Sequence, residues 1–221
     1  MFYTVGFVTP SHYFSPQTTL LSAQQLESFQ SRPQTVNGQT LQFLTARGVF
    51  SREGIDEGTR ILLHHWLASA PPEFDGTFAD LGCGWGAVAA FAAARFPQSQ
   101  IYAVDVNPRA AQLTAHNLSR NELTNCAVWA GDGLNAARAE FFDDILCNPP
   151  IRAGNEAIAH LFEDAHRALK LRGELWVVIR TAQGAKSWAK RLQESWGHCE
   201  TVALDKGYRV LRCRKMIDAR D

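Results

Sequence analysis

From residue 77 onward, short apolar runs alternate with longer stretches whose apolar positions recur at helical spacing. The runs fall at Thr77–Leu81, Gln100–Val106, Cys126–Ala130, Asp144–Cys147 and Glu174–Thr181. The helical stretches fall at Ala87–Arg95, Pro108–Asn121, Glu156–Leu169 and Lys186–Trp196. Strands alternating with helices call for an α/β fold with a mostly parallel, doubly wound sheet. The end of the chain departs from this rhythm. Two further runs, His198–Ala203 and Tyr208–Arg214, are separated only by Leu-Asp-Lys-Gly. That is too short for a parallel crossover, so the last strand is predicted to run antiparallel in a seven-stranded sheet.

The first 50 residues carry no such repeat. Asn37-Gly38 stands between β-prone flanks, the strongest short-range signal for a two-residue hairpin turn, and predicts a small β-hairpin ahead of the sheet. Between Asp56 and Ala70, the positions of Ile61, Leu62, Leu63, Trp66 and Leu67 predict a helix, ended by Pro71-Pro72. The expected organisation is an N-terminal extension, residues 1–54, packed on a catalytic domain, residues 55–221.

A length of 221 residues with 46% hydrophobic content suits one well-buried α/β domain and a small extension. No apolar run approaches the roughly 18–20 residues of a membrane span, and the N-terminus lacks a secretory pattern, so a cytoplasmic protein is expected. The five cysteines (Cys83, Cys126, Cys147, Cys199, Cys213) are scattered with no C-x-x-C pair, which predicts free thiols and no metal site. Net charge is zero but unevenly spread. Residues 1–166 hold 9 basic and 16 acidic side chains, and residues 167–221 hold 13 basic and 6 acidic, an asymmetry that points to a polyanionic partner or to ordinary solvated faces.

Candidate chemistry sits at the predicted strand ends. Asp80-Leu-Gly82-Cys83-Gly84-Trp-Gly86 follows the first sheet strand and opens a helix, where glycines let the backbone turn sharply and approach a ligand closely. About 20 residues on, Asp105 ends the second strand, where a carboxylate accepts both hydroxyls of a ribose or caps the helix starting at Pro108. Asp132, in Ala-Gly-Asp-Gly133, ends the third strand, where it can accept from an adenine amino group. These spacings and the reversed last strand resemble the Rossmann-like S-adenosyl-L-methionine-dependent methyltransferases more than the nicotinamide dehydrogenases.

Asn148-Pro149-Pro150-Ile151 follows the fourth strand. On its own it also reads as a strand-terminating turn. Behind a cofactor constellation it offers two acceptors, the Asn148 side-chain oxygen and a backbone carbonyl, which grip the two N–H groups of a conjugated amine. Such a grip directs the nitrogen toward an electrophilic methyl carbon, and no strong base is needed because the proton can leave afterwards.

Several motifs stand in the order seen in small-domain ribosomal RNA guanine-N2 methyltransferases: His12-Tyr-Phe-Ser15, Gly48-Val-Phe50-Ser51, Asp56-Glu-Gly58-Thr59, the glycine loop, Val104-Asp105-Val106-Asn107, Asn148-Pro-Pro-Ile-Arg-Ala-Gly154 and Asp205-Lys-Gly-Tyr-Arg209. The chain resembles that family from about residue 12 to Lys215. The resemblance implies that Phe50, Ser51, Asp56 and Thr59 border the cofactor and the active-site entrance, and that Val106, Cys83 and Gly133 belong to the cofactor site. It implies ribosomal RNA or the small ribosomal subunit as partner, with Ile151 and Arg152 toward the substrate. The family usually has Asn-Pro-Pro-Phe followed by histidine, where this chain has Ile151 and Arg152, and its two-domain members carry a further N-terminal half. Two other functions compete: methylation of a protein glutamine amide, whose enzymes usually place tyrosine after the prolines, and a non-catalytic RNA-binding module.

Overall fold

The computed structural model describes residues 20–216, so the His12–Ser15 motif lies outside the described residues. A short helix α1 (Ala23–Ser28) precedes the hairpin of β1 (Arg32–Val36) and β2 (Gln39–Phe43). There follow α2 (Glu57–Ser69), β3 (Thr77–Leu81), α3 (Ala87–Arg95), β4 (Gln100–Asp105), α4 (Pro108–Arg120), β5 (Cys126–Ala130) and β6 (Phe142–Cys147). The chain continues through α5 (Asn155–Ala168), β7 (Leu169–Arg180), α6 (Ala185–Trp196), β8 (Cys199–Asp205) and β9 (Tyr208–Arg214). The main sheet has the order β5-β4-β3-β6-β7-β9-β8, as a seven-stranded Rossmann-like methyltransferase sheet. Neighbours from β5 through β7 pair in parallel, and β9 runs antiparallel to both β7 and β8. The last strand is reversed as expected.

After β3 the chain moves outward through β4 and β5, then returns to β6 on the other side of β3. This reversal leaves a crevice at the carboxyl ends of β3 and β6, the place where open α/β sheets bind ligands. Successive strand residues point to opposite faces and build two hydrophobic layers. Phe78, Ile101, Ala103, Leu146 and Trp176 face α2, α3 and α4, whereas Ala79, Leu81, Ile145, Val177 and Leu211 face α5 and α6. Helix α3 is buried along Ala87–Ala93 because the hairpin covers its outer side, with the Phe43 ring 5.8 Å from that of Phe91. A helix covered on both sides has room for little beyond alanine, and its sequence is AVAAFAAAR.

Both hairpins turn through the same pair of left-handed residues. Asn37 and Gly38 have φ of 47° and 81°, and Lys206 and Gly207 have 44° and 81°. The β8–β9 turn is thus two residues long, shorter than the four-residue link read from the sequence. Its register sets Cys199 opposite Cys213, and the two are joined as a disulfide, which corrects the expectation that all five cysteines are free. Cys83, Cys126 and Cys147 are free. Among the described residues, no helix is long and apolar enough to cross a membrane.

The hairpin is tied to the core by two asparagines four residues apart, Asn117 on α4 and Asn121, which caps its C-terminus. Asn117, fully buried, accepts from the Leu44 N–H at 2.8 Å and donates to the carbonyls of Leu44 at 2.9 Å and Trp85 at 2.7 Å. Asn121 makes the same two-way exchange with the Gln42 backbone, at 2.9 and 2.8 Å. Side-chain amides spaced by one helical turn stand in for a neighbouring strand along β2 and the residue after it. Asn117→Ala strands three buried backbone groups and is expected to lower stability by roughly 2–4 kcal/mol, whereas Asn121→Ala, half-buried and bonded to the exposed Gln42, costs about 1 kcal/mol or less. Urea unfolding of the two variants beside the parent measures the difference.

Candidate active site

The crevice at the ends of β3 and β6 contains a cavity of about 50 Å³. Its lining brings together Phe50, Ser51, Asp56, Thr59, Asp80, Gly82, Cys83, Gly84 and Asn148 from positions spread over 99 residues of chain. Ile55, Leu62, Trp85, Val88 and Leu146 also line it and were not among the candidates. Trp85 was signalled only by its place inside the glycine loop, where tryptophan reads as core. It is buried, and its indole Nε1 donates to the Ser51 carbonyl at 3.2 Å.

The glycine loop is fixed from below and open above. The N–H groups of Gly82 and Cys83 both donate to the Val104 carbonyl at 2.9 Å, and Thr114 on α4 donates to the Gly84 carbonyl at 3.0 Å. Gly82 and Gly84 have φ of 80° and 59°, and a Cβ added at either would meet nothing within 4 Å. The missing side chains therefore leave backbone exposed to the crevice. Gly86 caps α3 without a side chain to offer, and the carboxylate of Asp80, from β3, instead accepts from the Ala89 N–H at 3.0 Å. Burial pushes the Asp80 pKa up to about 7. The Cys83 thiol lies 3.3 Å from the Thr114 hydroxyl, and burial raises its pKa well above the usual thiol range, which suppresses thiolate nucleophilicity.

Asp105 sits one strand over, at the end of β4. One carboxylate oxygen accepts from the Gly84 N–H and the other from the Asn107 N–H, both at 2.8 Å. Each oxygen retains capacity to accept a further hydroxyl. Burial raises the Asp105 pKa to about 6, although these two N–H groups pull it down. The helix cap that competed for this residue is made by Asn107, whose side chain accepts from the Arg109 N–H at 3.0 Å. Val106 follows on the same loop. Asp132 and Gly133 lie after β5, held near Asp105 by a 3.0 Å bond from the Gly131 N–H to the Asp105 carbonyl. A side chain at Gly133 would approach Asp164 to 2.6 Å, so the loop packs closely on α5.

Asn148 leaves β6 at the other wall of the crevice. Its Nδ2 donates to Asp56 Oδ1 at 3.2 Å and to Thr59 Oγ1 at 2.9 Å, while the Thr59 hydroxyl donates to Asp56 Oδ2 at 2.5 Å. An ionised carboxylate only accepts, so Asp56 fixes which end of the amide faces it. The amide oxygen is consequently turned away from Asp56, with no donor bonded to it among the described residues. Asp56 is itself held as the N-cap of α2, accepting from the Thr59 N–H at 3.2 Å. Pro149 and Pro150 continue the loop without an N–H. The Pro150 carbonyl is taken by the Ala153 N–H at 2.8 Å. Ile151 packs against the hydrophobic layer beneath α5 and α6, and Arg152 is exposed. Pro149, Pro150, Ile151 and Arg152 lie outside the cavity lining, as do Asp105, Val106, Asp132 and Gly133.

Part of the basic excess of the C-terminal part is matched by carboxylates. Lys170 pairs with Asp143 at 2.7 Å and Lys215 with Glu140 at 3.5 Å, and Lys206, Arg212 and Arg214 pair with Glu57, Glu200 and Glu174. The charge asymmetry is thus partly offset by cross-strand and strand-helix pairs.

Comparisons with known proteins agree with this geometry. Residues 40–212 match the family described as the methyltransferase small domain. The chain is 35% identical over 206 residues to the uncharacterized protein YbxB of Bacillus subtilis, covering 93% of this chain and 98% of that protein. It is 31% identical to the ribosomal RNA large subunit methyltransferase G of Klebsiella pneumoniae over 76% of this chain, and spans 45% of that longer protein. Among solved structures, the T. thermophilus 16S rRNA N2 methyltransferase RsmC, in complex with AdoMet and guanosine, superposes with a TM-score of 0.75 at 22% identity, covering 85% of this chain and 50% of that one. The order of strands, the glycine loop and the Asn-Pro-Pro turn therefore have one common account: the chain belongs to the methyltransferase small domain family.

Proposed function

We propose that this protein is an S-adenosyl-L-methionine-dependent methyltransferase that acts on the exocyclic 2-amino group of a guanine in small-subunit ribosomal RNA. The observation that carries the reading is the locked amide of Asn148, whose oxygen is left as an acceptor at the crevice bordered by the glycine loop. The open backbone at Gly82 and Gly84 fits the cofactor, as does the two-oxygen carboxylate of Asp105 placed for ribose hydroxyls. Asp132 and Gly133 would take the adenine end, with Val106 and Cys83 beside it, and Ser51, Thr59 and Asp80 would border the remainder. Bound there, S-adenosyl-L-methionine supplies an electrophilic methyl carbon.

The residues of this chain then do three things. Asn148 Oδ1 and the Pro149 carbonyl accept the two N–H groups of the base amine and aim its nitrogen. As the nitrogen gains positive charge, the same acceptors strengthen their bonds to it. As the new N–C bond forms, the methyl carbon's bond to sulfur would break, releasing the cofactor as S-adenosylhomocysteine, and the nitrogen would then lose its extra proton to solvent. Arg152, exposed on the same loop, would contact a phosphate or a base edge of the RNA. The large-subunit and small-subunit ribosomal RNA enzymes among the similar proteins support an RNA substrate. The base must be unpaired or flipped to reach the crevice.

Transfer of labelled methyl groups to small subunits, naked ribosomal RNA and release-factor protein in parallel tests the assignment. Label on RNA is expected, and label confined to protein would move the chemistry to a glutamine amide. Asn148→Ala is expected to lower kcat about 100- to 1000-fold with cofactor affinity within about twofold of the parent. Parallel loss of both would place Asn148 in cofactor binding instead.

Asp105 gives the cofactor site a pH dependence. Its raised pKa of about 6 means that acidification protonates it and removes the charged acceptor for the ribose hydroxyls. Cofactor affinity is expected to be full above that pH and to fall as the pH drops through about 6. Titration calorimetry of parent and Asp105→Asn across this range checks it: the variant should bind weakly throughout, with a flattened pH profile.

A further inference from the structure

Asn148 and the Pro149 carbonyl can hold an amine by its edge, but two acceptors in the plane of a base leave that base free to tilt. A second contact, on the face of the ring, is needed to fix the nitrogen for in-line attack. The residue after the prolines does not provide it. Ile151 is half-buried against the hydrophobic layer of α5 and α6, outside the cavity lining. The other lip of the same cavity carries Phe50, which is 67% exposed, and no other large aromatic side chain among the described residues is as open.

The exposure of Phe50 does not come from a loose loop. On its N-terminal side, Asn107 Nδ2 donates to the Gly48 carbonyl at 2.9 Å and Val49 is buried. On its C-terminal side, the Trp85 indole holds the Ser51 carbonyl, the Ser51 hydroxyl closes on the Gly54 carbonyl at 2.5 Å, and Thr45 donates to the Arg52 carbonyl at 2.6 Å. Gly48 and Ser51 take left-handed φ of 82° and 58° to make the turn. The fold therefore pins the backbone on both sides of a phenyl ring and leaves the ring in solvent at the mouth of the crevice. An apolar ring presented in this way gains most from a partner that arrives from solvent and offers a flat face.

We propose that Phe50 is the ring on which the target base stacks, the face contact that complements the edge contact of Asn148 and that Ile151 does not supply. The assignment rests on the base-amine reading above. It reassigns Phe50 from the cofactor, where the resemblance set it, to the RNA. Stacking is tolerant of sequence because every base has a π-face, so Phe50 positions the base and the amine grip selects it.

Methyl transfer to ribosomal RNA and binding of S-adenosylhomocysteine are measured for the parent, Phe50→Leu, Phe50→Ala and Phe50→Tyr. Leucine keeps an apolar side chain and tyrosine keeps the ring. Phe50→Leu and Phe50→Ala are expected to raise KM for RNA about tenfold or more, Phe50→Tyr to stay near the parent, and all three to bind S-adenosylhomocysteine within about twofold of the parent. A KM for Phe50→Leu equal to that of the parent overturns the stacking role alone, as does a parallel loss of S-adenosylhomocysteine affinity, which would make Phe50 a cofactor wall. No label on RNA from the parent itself overturns the base-amine reading and the Phe50 proposal together.

Discussion

The exchange of hydrogen bonds between α4 and the end of the hairpin is the constraint on which the crevice depends. The hairpin lies outside the main sheet, and the backbone of β2 and Leu44 has no neighbouring strand on its inner side. Asn117 and Asn121 satisfy that backbone at positions a helix can reach only with residues four apart. Asn117 also donates to the Trp85 carbonyl, so the same side chain that docks the hairpin fixes the glycine loop. Phe50, Ser51 and Asp56 follow directly from Leu44 in the chain. Their place over the crevice is inherited from this one docking contact.

A second line of constraint runs from the C-terminal hairpin to Asn148. Lys206 in the β8–β9 turn pairs with Glu57, and the Tyr208 ring lies so close to Gly58 that a Cβ there would approach it to 2.9 Å. Arg180 covers the same ring from the end of β7, its guanidinium 5.3 Å from the ring centre. The first turn of α2 is thereby held from behind while Asp56 and Thr59 hold Asn148 in front. The Asp205-Lys-Gly-Tyr-Arg209 motif, which in sequence reads as part of a basic surface, works here as the wall behind the amide. Glycine at 58 is required by closeness of approach, since its backbone is that of an ordinary helix.

The alternation of strands and helices was legible because a parallel sheet buries both faces, and burial writes itself as uninterrupted apolar runs. The Asn37-Gly38 turn was legible because few residue pairs accept two left-handed conformations in succession. What escaped the sequence were relations set by register and by helix faces. Cys199 and Cys213 are 14 residues apart, and only the two-residue turn at Lys206-Gly207 shows that they face each other. Strand β7 starts at Leu169, before Gly173, because Phe142 pairs with Leu169 across an irregularity in β6. The competing readings of Asp105 were resolved by Asn107, which takes the capping role and leaves the carboxylate to the loops.

The Asn-Pro-Pro turn shows how a short motif can be legible in kind and silent about its partner. Prolines predict a stiff turn with a free carbonyl, but which carbonyl depends on the next residues: the one-turn helix at Ile151–Ala153 consumes that of Pro150. The same helix rolls Ile151 inward, so the hydrophobic fourth residue serves the core. Across the crevice, the opposite lip is built by the docked hairpin segment and carries the exposed ring of Phe50.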